Sequence, residues 1–318
     1  MRSVLSRTLE RPIRLVGPLA IAIALAYSTY WFVAARILED ALTSQLRPAP
    51  ETGVSVAYSS LSISGFPFLW RARIESPQAQ AEGVGRWSAD RVEIDALPYS
   101  LSRVVLTLKG PQRLDFDPAL GLQLESAVLT GDTLRASLAR GGPKGAPWRG
   151  ALDLRNAELR IDGTGTAALE RFVADAFPES AGARVGGRLT APAWSDASGE
   201  LRIDYADFDV SYAMDATGGV DALIRYIRLA NGGGALSADG TVRISPEGAA
   251  SGEATVDVRK PKPLIDAAVA YGALTQEDAD AASLAVAAKG MSQGGAAKLR
   301  IDFDDAGVRV DGVEVARL

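Results

Sequence analysis

The chain contains neither cysteine nor histidine among its 318 residues. It therefore cannot form a disulfide, a thiolate nucleophile, a Ser-His-Asp or Cys-His catalytic arrangement, or the usual zinc site. Acidic side chains outnumber basic ones by 39 to 34, giving a formal net charge of −5, which is unlike the basic surface that nucleic acid requires. Carboxylate pairs and an oxygen-ligated Ca²⁺ at Asp302, Asp304 and Asp305 remain as alternatives, but most acids alternate with apolar residues on strands and so lie on a solvated face. The sequence therefore predicts no catalytic residue, no metal or cofactor site, no enzymatic activity and no nucleic-acid partner.

Charge is also absent from residues 15–35, a segment of 21 residues near the N-terminus. A helix of about 20 apolar residues spans the hydrocarbon core of a bilayer, and aromatic side chains gather at its interfaces. Residues 15–35 are therefore predicted to form a transmembrane helix, with a cleaved signal peptide and a buried soluble helix as alternatives. The predicted anchor and interface residues are Leu15, Tyr27, Tyr30, Trp31 and Phe32.

Basic residues flank this helix asymmetrically. Residues 1–14 contain four arginines and one acid, whereas Arg36 on the other side is followed by Glu39 and Asp40. Because positively charged flanks stay in the cytoplasm, residues 1–14 are predicted to be a cytoplasmic tip, and the acidic remainder of the chain is predicted to be exported. The residues that set this topology are Arg2, Arg7, Arg11 and Arg14.

Beyond the helix, residues 36–50 are predicted to be a stalk and linker, because apolar residues keep helical spacing until Pro48 and Pro50. Residues 51–318 then alternate between apolar and polar side chains in short segments separated by Gly, Pro, Asn and Asp, which is typical of antiparallel β-structure. The alternation changes parity between Tyr58 and Leu61, which predicts a bulge or a tight turn near Ser59 and Ser60. A Gly-rich stretch at 140–150 predicts an exposed loop and a candidate subdivision of this domain.

Some segments of the exported domain have helical spacing instead. Residues 167–177 and 263–271 each place their apolar side chains on one helical face, and Thr275 and Asp278 fit the start of a further helix. Residues 221–229 fit both a helix and a strand. The predicted fold class is mainly β: an N-terminal transmembrane helix, then an antiparallel β-rich domain with two or three short helices, either a curved trough-like sheet or a sandwich.

The tetrapeptide Leu-Arg-Ile-Asp occurs at 159–162, 201–204 and 299–302. On a strand it places Leu and Ile on one face and Arg and Asp on the other. That apolar face either packs against a second sheet or lines an open groove, and alternation alone does not distinguish the two. If the groove is open, the candidate lipid-contacting residues are Leu201, Ile203, Leu299 and Ile301.

A second apolar motif, Gly65-Phe66-Pro67-Phe68, lies about 30 residues beyond the predicted span. Glycine followed by an aromatic residue and proline indicates a turn that presents two phenyl rings. The turn is interpreted either as a packed corner of the core or as an apolar lip near the membrane. In the second case Phe66 and Phe68 are also candidate lipid contacts.

Several motifs resemble those of a known family. They are the basic N-terminus with one span ending in Tyr-Trp-Phe, Gly65-Phe66-Pro67, Trp87-Ser88-Ala89, Pro263-Leu264-Ile265-Asp266, and the closing Gly307-Val308-Arg309-Val310-Asp311-Gly312. Together they are similar to bacterial envelope proteins grouped as domain of unknown function 2125, and more distantly to AsmA-like proteins. The distant resemblance implies a long β-sheet folded into a trough with an apolar interior that handles lipids.

These observations lead to one functional hypothesis and one alternative. The hypothesis is a single-pass protein of the bacterial inner membrane, with a cytoplasmic N-terminus and a periplasmic domain whose apolar groove binds or helps move lipid. The alternative is a non-enzymatic structural protein that docks other envelope components. The expected partners are the membrane, lipid and other envelope proteins.

Overall fold

The computed structural model describes residues 10–46, 53–118, 124–179, 182–215, 217–246, 248–292, 296–304 and 307–316. In these ranges the chain forms three α-helices and one antiparallel sheet of 22 strands. The helices are α1 (Glu10–Gln45), α2 (Lys262–Tyr271) and α3 (Gln276–Ser292). The first ten strands are β1 (Val54–Ala57), β2 (Ser60–Ser64), β3 (Trp70–Glu75), β4 (Gln78–Ala81), β5 (Gly85–Ser88), β6 (Arg91–Leu97), β7 (Ser100–Lys109), β8 (Gln112–Phe116), β9 (Ser126–Thr130) and β10 (Thr133–Arg140).

The remaining strands complete the sheet toward the C-terminus. They are β11 (Trp148–Ile161), β12 (Gly165–Glu179), β13 (Gly182–Thr190), β14 (Ala193–Asp196), β15 (Gly199–Arg202), β16 (Tyr205–Met214), β17 (Val220–Asn231), β18 (Gly234–Ile244), β19 (Ala250–Arg259), β20 (Ala297–Asp304), β21 (Gly307–Val310) and β22 (Val313–Ala316). A short 3₁₀ turn, Pro143–Gly145, lies between β10 and β11. The sheet runs without interruption from β10 to β11, across the segment predicted as a loop and candidate subdivision.

The sheet is a meander in which each long strand pairs with the next one along the chain. The first ten strands combine in consecutive pairs into five long strands, each interrupted once. In the first two long strands β1 pairs with β4 and β2 pairs with β3. The same arrangement continues to the fifth long strand, in which β9 and β10 both pair with β11. The breaks lie side by side and form a line that we call the crease. At the crease Ser76 and Asn156 have positive φ angles of 47° and 46°, which are uncommon outside glycine.

The most buried part of the core follows the crease. Ile74, Ala89, Val92, Leu134 and Ala157 border it, and each is at most 8% exposed. Gly110 at the same line has a φ of 74°, and a Cβ there would collide with the Asp90 carboxylate. The strands therefore bend where small residues and left-handed conformations allow it.

Each helix covers a border of the sheet. The outer half of α1 packs along β2, the first strand at one edge. α2 lies across the β14–β15 and β17–β18 turns. In these turns Gly199 approaches Ala270, and Gly232 approaches Pro263. α3 packs on β20, and Lys289 of α3 forms an ion pair with Asp311 in the turn before β22.

Several sequence-based predictions are confirmed. The described helix from Ala20 to Gln45 is long and apolar enough to cross a membrane, although a signal sequence has the same properties, and α1 includes the predicted helical stalk. The parity change after Tyr58 is the break between β1 and β2. The helix predicted at 263–271 is α2, and Thr275 accepts the Asp278 backbone N–H at 3.1 Å at the start of α3.

The helix predicted over 167–177 is wrong, because this segment is the strand β12. Its apolar residues fit helical spacing, but β12 pairs with β11 on one side and with β13 and β14 on the other. Pairing on both sides outweighs the spacing of a few side chains. The ambiguous segment 221–229 is likewise a strand, β17. Apolar alternation also predicts a strand at 120–124, and this segment falls mostly outside the described residues.

Candidate functional site

Strand register places apolar side chains in continuous rows across one face of the sheet. Residues directly opposite each other on antiparallel strands share a face, so the register identifies each row. One row crosses thirteen strands through Leu61, Ile74, Val92, Leu108, Leu134, Leu154, Phe172, Leu189, Ala206, Leu229, Leu236, Val258 and Ala297. The next row on this face crosses the same strands through Ile63, Ala72, Ile94, Leu106, Ala136, Leu152, Ala174, Gly187, Phe208, Ile227, Ala238, Val256 and Leu299.

We call this surface the apolar wall. Neither row contains a polar side chain. A third row, closer to the turns that contact α1, continues it from Trp70 in β3 to Ile301 in β20. The wall therefore extends over the whole width of the sheet from β2 to β20.

The opposite face is charged, and its charges are paired across strands. Arg71 and Asp95 form a two-pronged ion pair with contacts of 2.7 and 2.8 Å. Arg188 donates to Asp207 at 2.7 Å, and the hydrogen bond to this carboxylate raises the pKa of Arg188 above its ordinary value. Such pairs make this face hydrophilic at little electrostatic cost.

Three carboxylates converge in a depression of about 540 Å³ on the charged face, beside Gly186. Asp207 and Asp209 are 5% and 6% exposed. Asp209 is bound by the Arg184 guanidinium, and Asp175 lies 3.7 Å from that of Arg149. Among the described residues no group of three or more side chains is arranged to hold a metal ion. Each of these carboxylates is thus paired with an arginine, Asp207 with Arg188, Asp209 with Arg184 and Asp175 with Arg149.

Exposure of the apolar wall increases toward one end of the sheet. We call this the helix-side end, because it carries the β2–β3 turn that contacts α1. On the wall, Leu138, Tyr212, Met214 and Ile244 lie near this end, and they are 55%, 42%, 68% and 40% exposed. Near the crease the wall is buried, and between β11 and β20 most of its larger side chains are half-buried. Among the described elements no second sheet covers the wall.

The aromatic residues of α1 pack on the turns at the helix-side end. Trp31 is 3% exposed and lies edge-on to Phe66, with ring centroids 5.5 Å apart. Phe32 stacks on the same Phe66 ring at 5.4 Å. Trp70 is 6% exposed and lies beside Tyr30, and its indole N–H has no acceptor among the described residues. Dispersion and apolar burial therefore hold this junction together.

Two hydrogen bonds fix the height of α1 relative to the sheet. The Tyr27 hydroxyl donates to the Pro67 carbonyl at 2.6 Å, and the Tyr30 hydroxyl donates to the Pro98 carbonyl at 2.9 Å. Pro67 belongs to the β2–β3 turn and Pro98 to the neighbouring β6–β7 turn. The apolar helix and these two turns thus form one unit.

At the other end of the sheet, a polar clamp attaches α2. Asp196 accepts hydrogen bonds from the Tyr271 hydroxyl at 2.7 Å and the Trp194 indole N–H at 2.9 Å. These donors, with the backbone N–H of Ser198, lower the pKa of Asp196 to about 2, and the same contact raises the pKa of Tyr271. The clamp holds α2 against the β14–β15 turn.

The structure places most of the predicted lipid-contacting residues on the wall or at its end. Leu299 and Ile301 lie in the rows and are half-buried. Leu201 pairs with Trp194 beyond the crease, and Ile203 lies outside the strands in a depression of about 620 Å³. Phe66 is 46% exposed despite its contacts with α1, and Phe68 is 76% exposed.

The predicted anchor residues lie on α1. Tyr27, Tyr30, Trp31 and Phe32 face the sheet turns or the exterior, and Leu15, Arg11 and Arg14 lie on the described backbone of α1. Arg2 and Arg7 fall outside the described residues. Sequence reasoning missed the β6–β7 turn, whose signal was the uncharged stretch Leu97-Pro98-Tyr99.

An N-terminal apolar helix joined to a meander sheet with one apolar and one charged face defines a class of β-rich protein with a candidate membrane anchor. The chain belongs to DUF2125, a family described as an uncharacterised protein conserved in bacteria, whose model matches residues 31–318. The match begins at Trp31, so it includes Trp31 and Phe32 of α1 but not Tyr27 and Tyr30, which also contact the turns. No curated protein and no solved structure matches the chain.

Proposed function

We propose that this protein is a single-pass protein of the bacterial inner membrane, and that its periplasmic domain binds or helps move lipid along the apolar wall. The observation that carries the proposal is the continuity of the wall, which crosses thirteen strands without a polar side chain. In this proposal the protein is not an enzyme. The resemblance to AsmA-like proteins points to the same trough architecture.

The partial exposure of the wall supports this function over a closed core. A sheet face that packs against a second sheet buries its side chains fully. Here Phe208, Ile227 and Leu236 in the middle of the wall are only half-buried, although they are large. An acyl chain lying along a row would remove this surface from water, at about 0.8 kcal/mol for each methylene group buried.

The direction of increasing exposure also fits lipid entry. The most exposed wall residues lie at the helix-side end, where α1 joins the sheet. A lipid that enters from the helix-side end of the wall would first meet Leu138, Tyr212, Met214 and Ile244, which lie on β10, β16 and β18. The charged face keeps the other side of the sheet hydrated.

A second candidate function is docking of other envelope proteins through the sheet edge. The last strand, β22, pairs with β21 on one side and has no strand partner on its other side among the described residues. Unpaired backbone groups on an edge can pair with a strand of another protein. The experiment on the wall separates this function from the first.

The test compares two neighbouring residues on opposite faces of β17. Ile224 lies on the wall between Val210 and Gly240, and Leu223 lies on the charged face and is 44% exposed. Each is replaced in the full-length protein by a photoreactive phenylalanine analogue, cells are irradiated, and adducts are identified by mass spectrometry. We expect lipid adducts at Ile224 and none at Leu223.

The other outcomes are equally informative. Protein adducts at Ile224 without lipid would show that another protein, and not lipid, occupies the wall. Lipid adducts at both positions, or at neither, would reject the proposed role of the wall. The two positions lie at the same height on one strand, so distance from the membrane is matched.

A further inference from the structure

The position of the β2–β3 and β6–β7 turns along α1 determines where they lie relative to the bilayer. The uncharged segment begins at Leu15, after Arg14, and Tyr27 is its thirteenth residue. At 1.5 Å per residue these thirteen residues cover about 20 Å, whereas a hydrocarbon core is about 30 Å thick. If Arg14 lies at the cytoplasmic boundary, Tyr27 lies well inside the outer leaflet.

Hydrogen bonds place the two turns at this depth. Pro67 is bonded to Tyr27 and Pro98 to Tyr30, so the turns lie roughly 10 and 6 Å below the outer edge of the core. Snorkelling of Arg14 by one turn of helix would raise them by about 5 Å, which still leaves Pro67 inside. A tilted helix covers less depth per residue and would place both turns deeper.

The composition of the two turns matches this environment. Residues 64–70 and 96–102 contain no charged side chain, whereas the other turns of the helix-side end carry charges, such as Lys144 and Asp215. Phe68 and Tyr99 project from the two turns and are 76% and 73% exposed. Exposed aromatic side chains of this kind favour the membrane interface.

The first charges above the turns are also arranged for an interface. Arg71 follows the β2–β3 turn directly and Asp95 precedes the β6–β7 turn, and the two neutralise each other through the two-pronged ion pair. A paired charge is tolerated near a low-dielectric boundary better than a single one.

We propose that the β2–β3 and β6–β7 turns are inserted into the outer leaflet beside α1, so that this protein contacts the lipid bilayer through a second, non-helical surface. The inserted surface consists of residues 65–69 and 97–99, with Phe68 and Tyr99 at its tips. The proposal rests on the membrane-anchored part of the proposed function and is independent of lipid movement along the wall.

The absence of cysteine allows a direct test with single labels. Phe68→Cys and Tyr99→Cys are prepared in the full-length protein, labelled with a fluorophore, and reconstituted in phospholipid nanodiscs with or without lipids that carry a nitroxide near the top of the acyl chain. We expect nitroxide lipid to cause a loss of fluorescence at both positions, because a nitroxide quenches only fluorophores close to it.

Three matched positions serve as controls. Ile23→Cys replaces a residue of α1 that is 61% exposed, and it reports on the anchor. Val84→Cys replaces a residue that is 56% exposed at the opposite end of the sheet. Ala249→Cys lies in a polar turn of the helix-side end. Ile23 lies near the middle of the bilayer, so it is tested with lipid that carries the nitroxide near the end of the acyl chain. We expect this lipid to quench the label at Ile23, and neither lipid to quench the label at Val84 or Ala249.

Quenching at Ile23 without quenching at Phe68 and Tyr99 would overturn the insertion of the turns and leave the anchor intact. Absence of quenching at Ile23 as well would overturn both the anchor and the insertion. Quenching at Ala249 equal to that at Phe68 would overturn the assignment to these two turns. All five labelled positions are exposed, so each label replaces a side chain outside the core.

Discussion

Among the described residues, Asp196 is a carboxylate whose ionisation depends on contacts made only in the folded chain. It fixes α2 by accepting hydrogen bonds from Tyr271 and Trp194. These donors favour the charged carboxylate, so its pKa falls from 3.8 to about 2. Between these two values the unfolded chain binds more protons than the folded one, and stability therefore rises with pH.

We predict that the contribution of Asp196 to stability is fully present above about pH 4 and is lost as the pH falls toward 2. Asp196→Asn removes this titration, so the difference in unfolding midpoint between wild type and variant should shrink as the pH falls over that interval. Denaturation of both proteins at several pH values between 2 and 6 measures this difference in midpoint. Tyr271→Phe removes the hydrogen bond that contributes most to the lowered pKa of Asp196. The stability of this variant should therefore change less with pH in the same interval than that of wild type, and an equal pH dependence would contradict this assignment.

At the scale of elements, the junction between α1 and β3 depends on packed aromatic rings. Trp70 is 6% exposed, and its indole N–H has no acceptor among the described residues. The residue therefore contributes through buried area and ring contacts. Substitutions of Trp70 that preserve an aromatic ring should therefore lower the free energy of unfolding much less than substitutions that remove it.

Trp70→Ala is predicted to lower the free energy of unfolding by about 3–5 kcal/mol, the range for removing a large buried aromatic side chain. Trp70→Phe keeps an aromatic ring and loses no hydrogen bond, so its effect should be the smaller of the two. Denaturation of the full-length protein in detergent micelles provides the measurement. Equal effects of the two substitutions would show that the indole N–H matters more than the ring contacts.

The same scale shows how far the sequence predicts the structure. Apolar alternation and turn residues predict the strands at 91–97 and 298–303 correctly, and their alternating apolar residues, such as Val92, Ile94 and Leu299, fall on the wall. Residues 167–177 defeat the same reasoning, since Leu169 and Val173 also fit helical spacing and only pairing with β11 and β13 decides. The continuity of the wall could not be predicted, because it depends on the register of strands distant in sequence. Phe66 and Phe68 were recognisable from their motif, but the contact of Phe66 with α1 was not.

At the scale of the whole molecule, the distribution of charge predicts orientation. Residues 1–47 contain six arginines and three acids, a net of +3, which leaves −8 for the other residues if the total is −5. Basic residues resist transfer across the inner membrane. The sheet, at the acidic end, should therefore lie outside the cytoplasm.

Alkaline phosphatase fused after residue 318 is predicted to be active in intact cells, because that enzyme requires export. A reporter that works only in the cytoplasm should be inactive at the same position. Replacing Arg2, Arg7, Arg11 and Arg14 by neutral residues should shift the balance toward the cytoplasmic reporter. The reverse pattern in the unmodified protein would refute the orientation.

The meander has a consequence for biogenesis. Each long strand pairs with its neighbour in sequence, so most contacts close short loops and folding needs no distant partner. A chain held by α1 while it is translocated could add strands one after another, with every completed hairpin serving as the template for the next. The edge of the growing sheet would move steadily away from the anchor, and the region that emerges first, beside the membrane, would be ordered before synthesis of the last strands is complete.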